Sequence, residues 1–155
     1  MKANTLMKLF FMTCIAGLLA ITAIAQKPVT WNYSIKKISD NIYELHLKAS
    51  IQKGWHVYAQ KQPENFIGKA TTITFNQHAL LKFEGEIKEL GQLKKKYEPE
   101  LDIECWQYNT EVEFVQRVIL KNKIKTNVGG NIEFQACTDE LCLQPSTVSF
   151  NFELN

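Results

Sequence analysis

From Trp31 to Leu154 the chain alternates apolar with polar residues, and that period of two sets its fold class. Trp31, Tyr33 and Ile35 alternate with Asn32, Ser34 and Lys36, and Tyr43, Leu45, Leu47, Ala49 and Ile51 with Glu44, His46, Lys48 and Ser50. Val148, Phe150, Phe152 and Leu154 alternate with Ser149, Asn151 and Glu153. Successive side chains of an extended strand point to opposite faces, so each run describes a half-buried strand. Less regular candidates span residues 55–60, 71–76, 80–90, 112–120 and 131–136. Turn chemistry separates them at Asp40-Asn41, Lys53-Gly54, Lys121-Asn122-Lys123 and Gly129-Gly130-Asn131. No segment sustains a helical period. About eight strands at this spacing predict an all-β chain, an immunoglobulin-like antiparallel β-sandwich, with a closed barrel as the alternative.

The first residues have a different character. Lys2 and Lys8 precede an almost wholly apolar run over residues 9–24, and Ala23-Ile24-Ala25 offers a small-x-small exit before Gln26. That is the pattern of a cleaved secretory signal peptide, residues 1–25. The apolar run is slightly short for a spanning helix. Cys14 lies inside it, and the preceding Phe11-Met12-Thr13 does not resemble a lipoprotein cleavage box. The expected mature chain is therefore a single domain, residues 26–155, in the periplasm or secreted, with no stable membrane insertion after cleavage. Losing Lys2 and Lys8 and no acid leaves 16 basic against 16 acidic residues. A neutral balance gives no electrostatic footprint for nucleic acid or an acidic membrane surface. Three cysteines remain, Cys105, Cys137 and Cys142, an odd number for an oxidising compartment.

Cys137 and Cys142 bracket Thr138-Asp139-Glu140-Leu141, with Pro145 just beyond. A disulfide across so short a loop stabilises little, about 2 kcal/mol in the loop-closure model. The pair reads either as a redox site that opens and closes or as a structural staple at a hairpin end in a passive binding or assembly module. If Ile132, Phe134 and Ala136 face the core, Glu133, Gln135 and Cys137 face outward, where a partner reaches Cys137. Asp139 and Glu140, with no Lys or Arg in the loop, disfavour a thiolate. Zinc is disfavoured because no second Cys/His pair follows. Soft-metal capture by two thiols and a histidine is the weakest reading, and no metal or cofactor is expected. His46, His56 and His78 read as surface or packing residues. Residues 91–104, with Lys94-Lys95-Lys96 and Pro99, read as a long irregular loop whose lysine run is a solvated face.

The run Gln135-Ala136-Cys137-Thr138-Asp139-Glu140-Leu141-Cys142-Leu143-Gln144-Pro145, closing a chain of alternating strands, resembles the N-terminal periplasmic domain of the thiol:disulfide interchange protein DsbD family. Lys53-Gly54-Trp55-His56-Val57-Tyr58-Ala59-Gln60 looks like that family's early glycine-aromatic strand. The likeness covers essentially the whole mature chain. It implies an immunoglobulin-like sandwich whose Cys137–Cys142 disulfide exchanges with partner proteins. The implied donor is a thioredoxin-like or membrane-embedded disulfide reductase, and the implied acceptor an oxidised periplasmic protein. By the same resemblance Cys142 makes the bond to the partner, Tyr58 lies beside the pair, and residues 98–104 form a cap. Leu101 stands where the family places an aromatic cover, so shielding is expected to be looser, or to fall to Tyr97 or Trp106. The family continues into further domains and this chain ends at Asn155, which implies a detached module. Cys105 reads as a small buried residue beside Trp106, or as a third thiol near the cap.

Overall fold

The computed structural model describes residues 27–122 and 124–155, so the expected signal segment lies outside the described residues. Eleven strands, and no helix, occur among them: β1 (Val29–Lys37), β2 (Ile42–Ile51), β3 (His56–Tyr58), β4 (Thr72–Phe75), β5 (Leu81–Gly91), β6 (Lys94–Glu98), β7 (Ile103–Tyr108), β8 (Glu111–Leu120), β9 (Thr126–Phe134), β10 (Ala136–Cys137) and β11 (Ser146–Leu154). They form three antiparallel sheets in the orders β1-β2-β8-β5, β10-β3-β7-β6 and β11-β9-β4.

The alternating residues build the core. Leu45, Leu47 and Ala49 of β2 and Val112, Phe114 and Val118 of β8 face Val128, Ile132 and Phe134 of β9 and Phe150, Phe152 and Leu154 of β11. Burying a side chain of this size contributes about 1.5–3 kcal/mol, so these two sheets carry the stability of the sandwich. Trp31 packs its ring 5.4 Å from Phe134 and 6.0 Å from Phe114, edge-on and tilted. The β10-β3-β7-β6 sheet joins the core through Val57 and Tyr108, with Ala59 just after β3 and the half-buried Trp106 packed against them. Its other face is set by register: Cys137 pairs with His56, Tyr58 with Gln107, and Lys96 with Cys105. Paired residues share a face of the sheet, so chemistry-bearing side chains gather on the side away from the core.

Two expectations are corrected. Residues 91–104 are not an irregular loop: β6 and β7 make a hairpin paired from Lys94↔Gln107 to Glu98↔Ile103. The alternation is hidden there because β7 buries polar Gln107 while Trp106 stays half-exposed under the Lys95 ammonium, 4.3 Å from its ring. Gly129-Gly130 is not a turn but the middle of β9. A Cβ on Gly130 would run into the Thr74 carbonyl and the Phe150 ring, so the glycine admits close packing rather than a bend.

Candidate redox site

Cys137 lies in the middle of a three-strand row. On one side β10 places it directly opposite His56 of β3. On the other, the chain turns back through residues 138–141 and Cys142 forms an antiparallel bridge to Cys137. The two cysteines are disulfide-bonded, with Cα atoms 4.0 Å apart. The turn is built by Thr138, whose N–H donates to the Leu141 carbonyl at 2.8 Å. Its hydroxyl accepts from the N–H groups of Glu140 and Leu141 at 3.2 and 3.1 Å. Leu143 N–H closes the ladder on the Ala136 carbonyl at 2.9 Å. Pro145 has no N–H to extend that pairing, and β11 begins one residue later.

The two sulfurs are unequal. Cys137 is fully buried, whereas Cys142 is exposed at the mouth of a groove of about 360 Å³. The groove runs between the cysteine turn and the β6–β7 hairpin, with Leu101, Leu141 and Ile67 on its rim. These three are 62%, 51% and 66% exposed, apolar side chains grouped around the exposed cysteine. Tyr58 lies on the floor with its hydroxyl 3.9 Å from Cys142 Sγ. Its ring is held edge-on to Phe66 at 4.8 Å and to His56 at 5.3 Å.

The charges come from a neighbouring strand. Lys96 Nζ on β6 reaches Asp139 at 2.7 Å and Glu98 at 2.8 Å, tying the hairpin to the cysteine turn. These hydrogen bonds, to Asp139 first, hold the Lys96 ammonium well above its ordinary range, and the same bond holds the Asp139 carboxyl below its own. Burial pushes the Tyr58 hydroxyl and the Cys105 thiol up, so both stay protonated. Burial, then Lys96, pulls the His56 imidazole down, keeping it neutral.

The structure brings Cys137, Cys142, Tyr58, Leu101, Asp139, Glu140 and Cys105 to this groove or directly beneath it. Cys105 is buried in a small cluster with Tyr58 and Cys137, and its Sγ–H points to the Lys96 carbonyl at 3.5 Å. Tyr97 and Trp106 do not line the groove: Tyr97 turns to Asp102 and Trp106 packs toward the core. Three readings change. The accessible sulfur is Cys142, not Cys137, because the chain switches sheets at Gln135 and the alternation count of β9 does not carry into β10. Asp139 is not uncompensated, since Lys96 supplies a cation to it across the fold. Nor is Lys96 a merely solvated residue. His56 was missed as a site residue, although it stands two residues before Tyr58 and so shares its face; that spacing was the available signal.

The family described as thiol:disulfide interchange protein DsbD, N-terminal, matches residues 22–154. Among solved structures, the N-terminal periplasmic domain of ScsB from Proteus mirabilis is similar, with a TM-score of 0.58 at 17% identity over 84% of this chain. This chain spans only 48% of that one. The reduced DsbD N-terminal domain of Neisseria meningitidis gives a TM-score of 0.53 at 14% identity, covering 81% of this chain and 86% of that one. The complex of the DsbD and PilB N-terminal domains from the same organism gives 0.53 at 14% identity, covering 84% and 87%. These likenesses support the immunoglobulin-like β-sandwich. No curated protein matches the chain by sequence.

Proposed function

The chain belongs to the DsbD N-terminal family, and on that premise we propose that it relays electrons by thiol–disulfide exchange through Cys137 and Cys142. The observation that carries this is the asymmetry of the pair: Cys142 is an exposed residue beside Leu101, Leu141 and Ile67, and Cys137 is buried behind it. A donor thiolate attacks Cys142 Sγ, the Cys137–Cys142 bond breaks, and Cys137 leaves as the thiolate. A second donor thiol resolves the mixed disulfide and leaves the domain with two thiols. In the return half, the Cys142 thiolate attacks an oxidised partner. Cys137 then attacks Cys142, restoring the internal disulfide and releasing the partner with two electrons.

Each neighbour has a part in this. Tyr58, held protonated, donates to the Cys142 sulfur as negative charge develops there. Leu101, Leu141 and Ile67 exclude water from a docked partner and leave room for its cysteine. The partners are a thioredoxin-like or membrane-embedded reductase as donor and an oxidised periplasmic protein as acceptor. Complex formation between DsbD and PilB N-terminal domains supports partner docking, and the periplasmic ScsB relative supports the periplasm as compartment. Residues 1–25 would serve as the export signal.

Trapping tests the assignment. Mixed with an oxidised dithiol partner such as thioredoxin, Cys137→Ser should accumulate a disulfide between Cys142 and the partner, and Cys142→Ser should not. Equal trapping by both variants, or retained transfer in both, would overturn it. A reduction potential below the roughly −300 mV typical of structural disulfides would make the pair a staple in a binding module instead.

A further inference from the structure

Resting on the relay reading, the buried position of Cys137 poses a problem of proton transfer. Its thiol must lose a proton whenever it attacks Cys142, yet its side chain has no contact with solvent. The register of β3 and β10 sets His56 directly opposite Cys137, on the same face of the sheet and on the side away from Cys142. Directly opposed residues have Cβ atoms about 4.5–5.5 Å apart, within reach of an imidazole. His56 is itself only 5% exposed and lines the groove that leads to solvent. We propose that His56 is the proton acceptor for Cys137, acting as general base when the disulfide closes and, in reverse, as the acid when it opens.

The other titratable groups on this face fit the role poorly. Tyr58 on β3 and Cys105 on β7 are held protonated by burial. Lys96 on β6 is an ammonium committed to Asp139 of the cysteine turn and Glu98 of its own strand. Asp139 is a weakened base for the same reason. Glu98 and Glu100 line the groove but stand on the opposite hairpin, and Glu140 stands on the turn itself. Burial and the Lys96 charge favour neutral His56, the form that accepts a proton. The step balances: His56 takes the Cys137 proton as Cys137 Sγ bonds to Cys142 Sγ, and the partner sulfur leaves with the electron pair of the broken bond. The imidazolium then passes its proton to that thiolate or to groove water.

Dithiodipyridine separates the two attacks, since each sulfur displacement releases one chromophore. The reduced protein should show a first phase from Cys142 and a second from Cys137. In His56→Asn the first should be unchanged and the second slowed about a hundredfold, the lower end for a positioned base. In the wild type the second rate should fall as pH drops through the imidazole range; in the variant that limb should vanish. A folded variant with an unchanged second phase and pH profile overturns the role of His56 and leaves the relay standing. A wild-type protein that never releases the second chromophore overturns the relay itself. Should His56→Asn fail to fold, the wild-type imidazole can be titrated by NMR in both redox states. A shift between them is expected, and titration indifferent to the state of Cys137 overturns the proposal.

Discussion

Tyr58 offers the accessible sulfur a hydroxyl at 3.9 Å, and the value of that contact lies in the thiolate rather than in the fold. Tyr58→Phe should leave the melting temperature nearly unchanged and slow alkylation of Cys142 in the reduced protein by roughly fivefold. That corresponds to about 1 kcal/mol for one modest hydrogen bond, read by mass spectrometry of iodoacetamide adducts. His56 gives a pH signature of its own. Because burial holds its imidazole below the ordinary 6.5, the unfolded chain takes up the proton first as pH falls. Its contribution is therefore complete above about pH 6.5 and is lost as pH falls toward the lowered folded value. Thermal melts of the wild type should show this slope, and His56→Phe should flatten it.

At the scale of elements, the β6–β7 hairpin and the cysteine turn are joined by Lys96 and Asp139 across the groove beside Cys142. The pair is exposed on the Asp139 side, so its contribution to global stability is small. Asp139→Asn should leave the melting temperature nearly unchanged and speed amide exchange at Glu140, Leu141 and Cys142. The same opening should follow acidification. The Asp139 carboxyl is lowered from 3.8 by Lys96, so the contact is intact above that value and is lost only as pH falls below it. Strand β9 makes a different demand. Gly130 sits beneath Phe150 and against Thr74, so Gly130→Ala should cost about 1–3 kcal/mol, as overpacking does, and lower the melting temperature measurably. The glycines looked like a turn because their usual role is conformational; here the role is steric, and only the neighbouring strands reveal it.

For the whole molecule, the sandwich core lies between the β1-β2-β8-β5 and β11-β9-β4 sheets, while the disulfide sits on the outer face of the β10-β3-β7-β6 sheet. Reduction should therefore leave a folded, cooperative domain. The five-residue separation of the cysteines limits the loss to about 2 kcal/mol in the loop-closure model, checked by denaturant titration with and without dithiol. A larger loss, or non-cooperative melting, would mean that the bridge organises the β10-β3-β7-β6 sheet. Under the proposed relay, that division would let the pair cycle without disturbing the core.

The alternation of Leu45 with His46, or Phe150 with Asn151, was enough to specify strands, their buried faces and the sandwich, because one strand period relates sequence directly to burial. That Cys137 and Cys142 come together was legible from their spacing, and Tyr58 beside them through the resemblance. The β6–β7 hairpin was not, since β7 buries Gln107 and leaves Trp106 half-covered, reversing the expected polarity. Which sulfur is exposed, what neutralises Asp139, and which group faces Cys137 depended on strands distant in sequence. Each was decided when β10 left the register of β9 and paired with β3: a change of partner resets the faces of a strand, and no local count of residues carries across it.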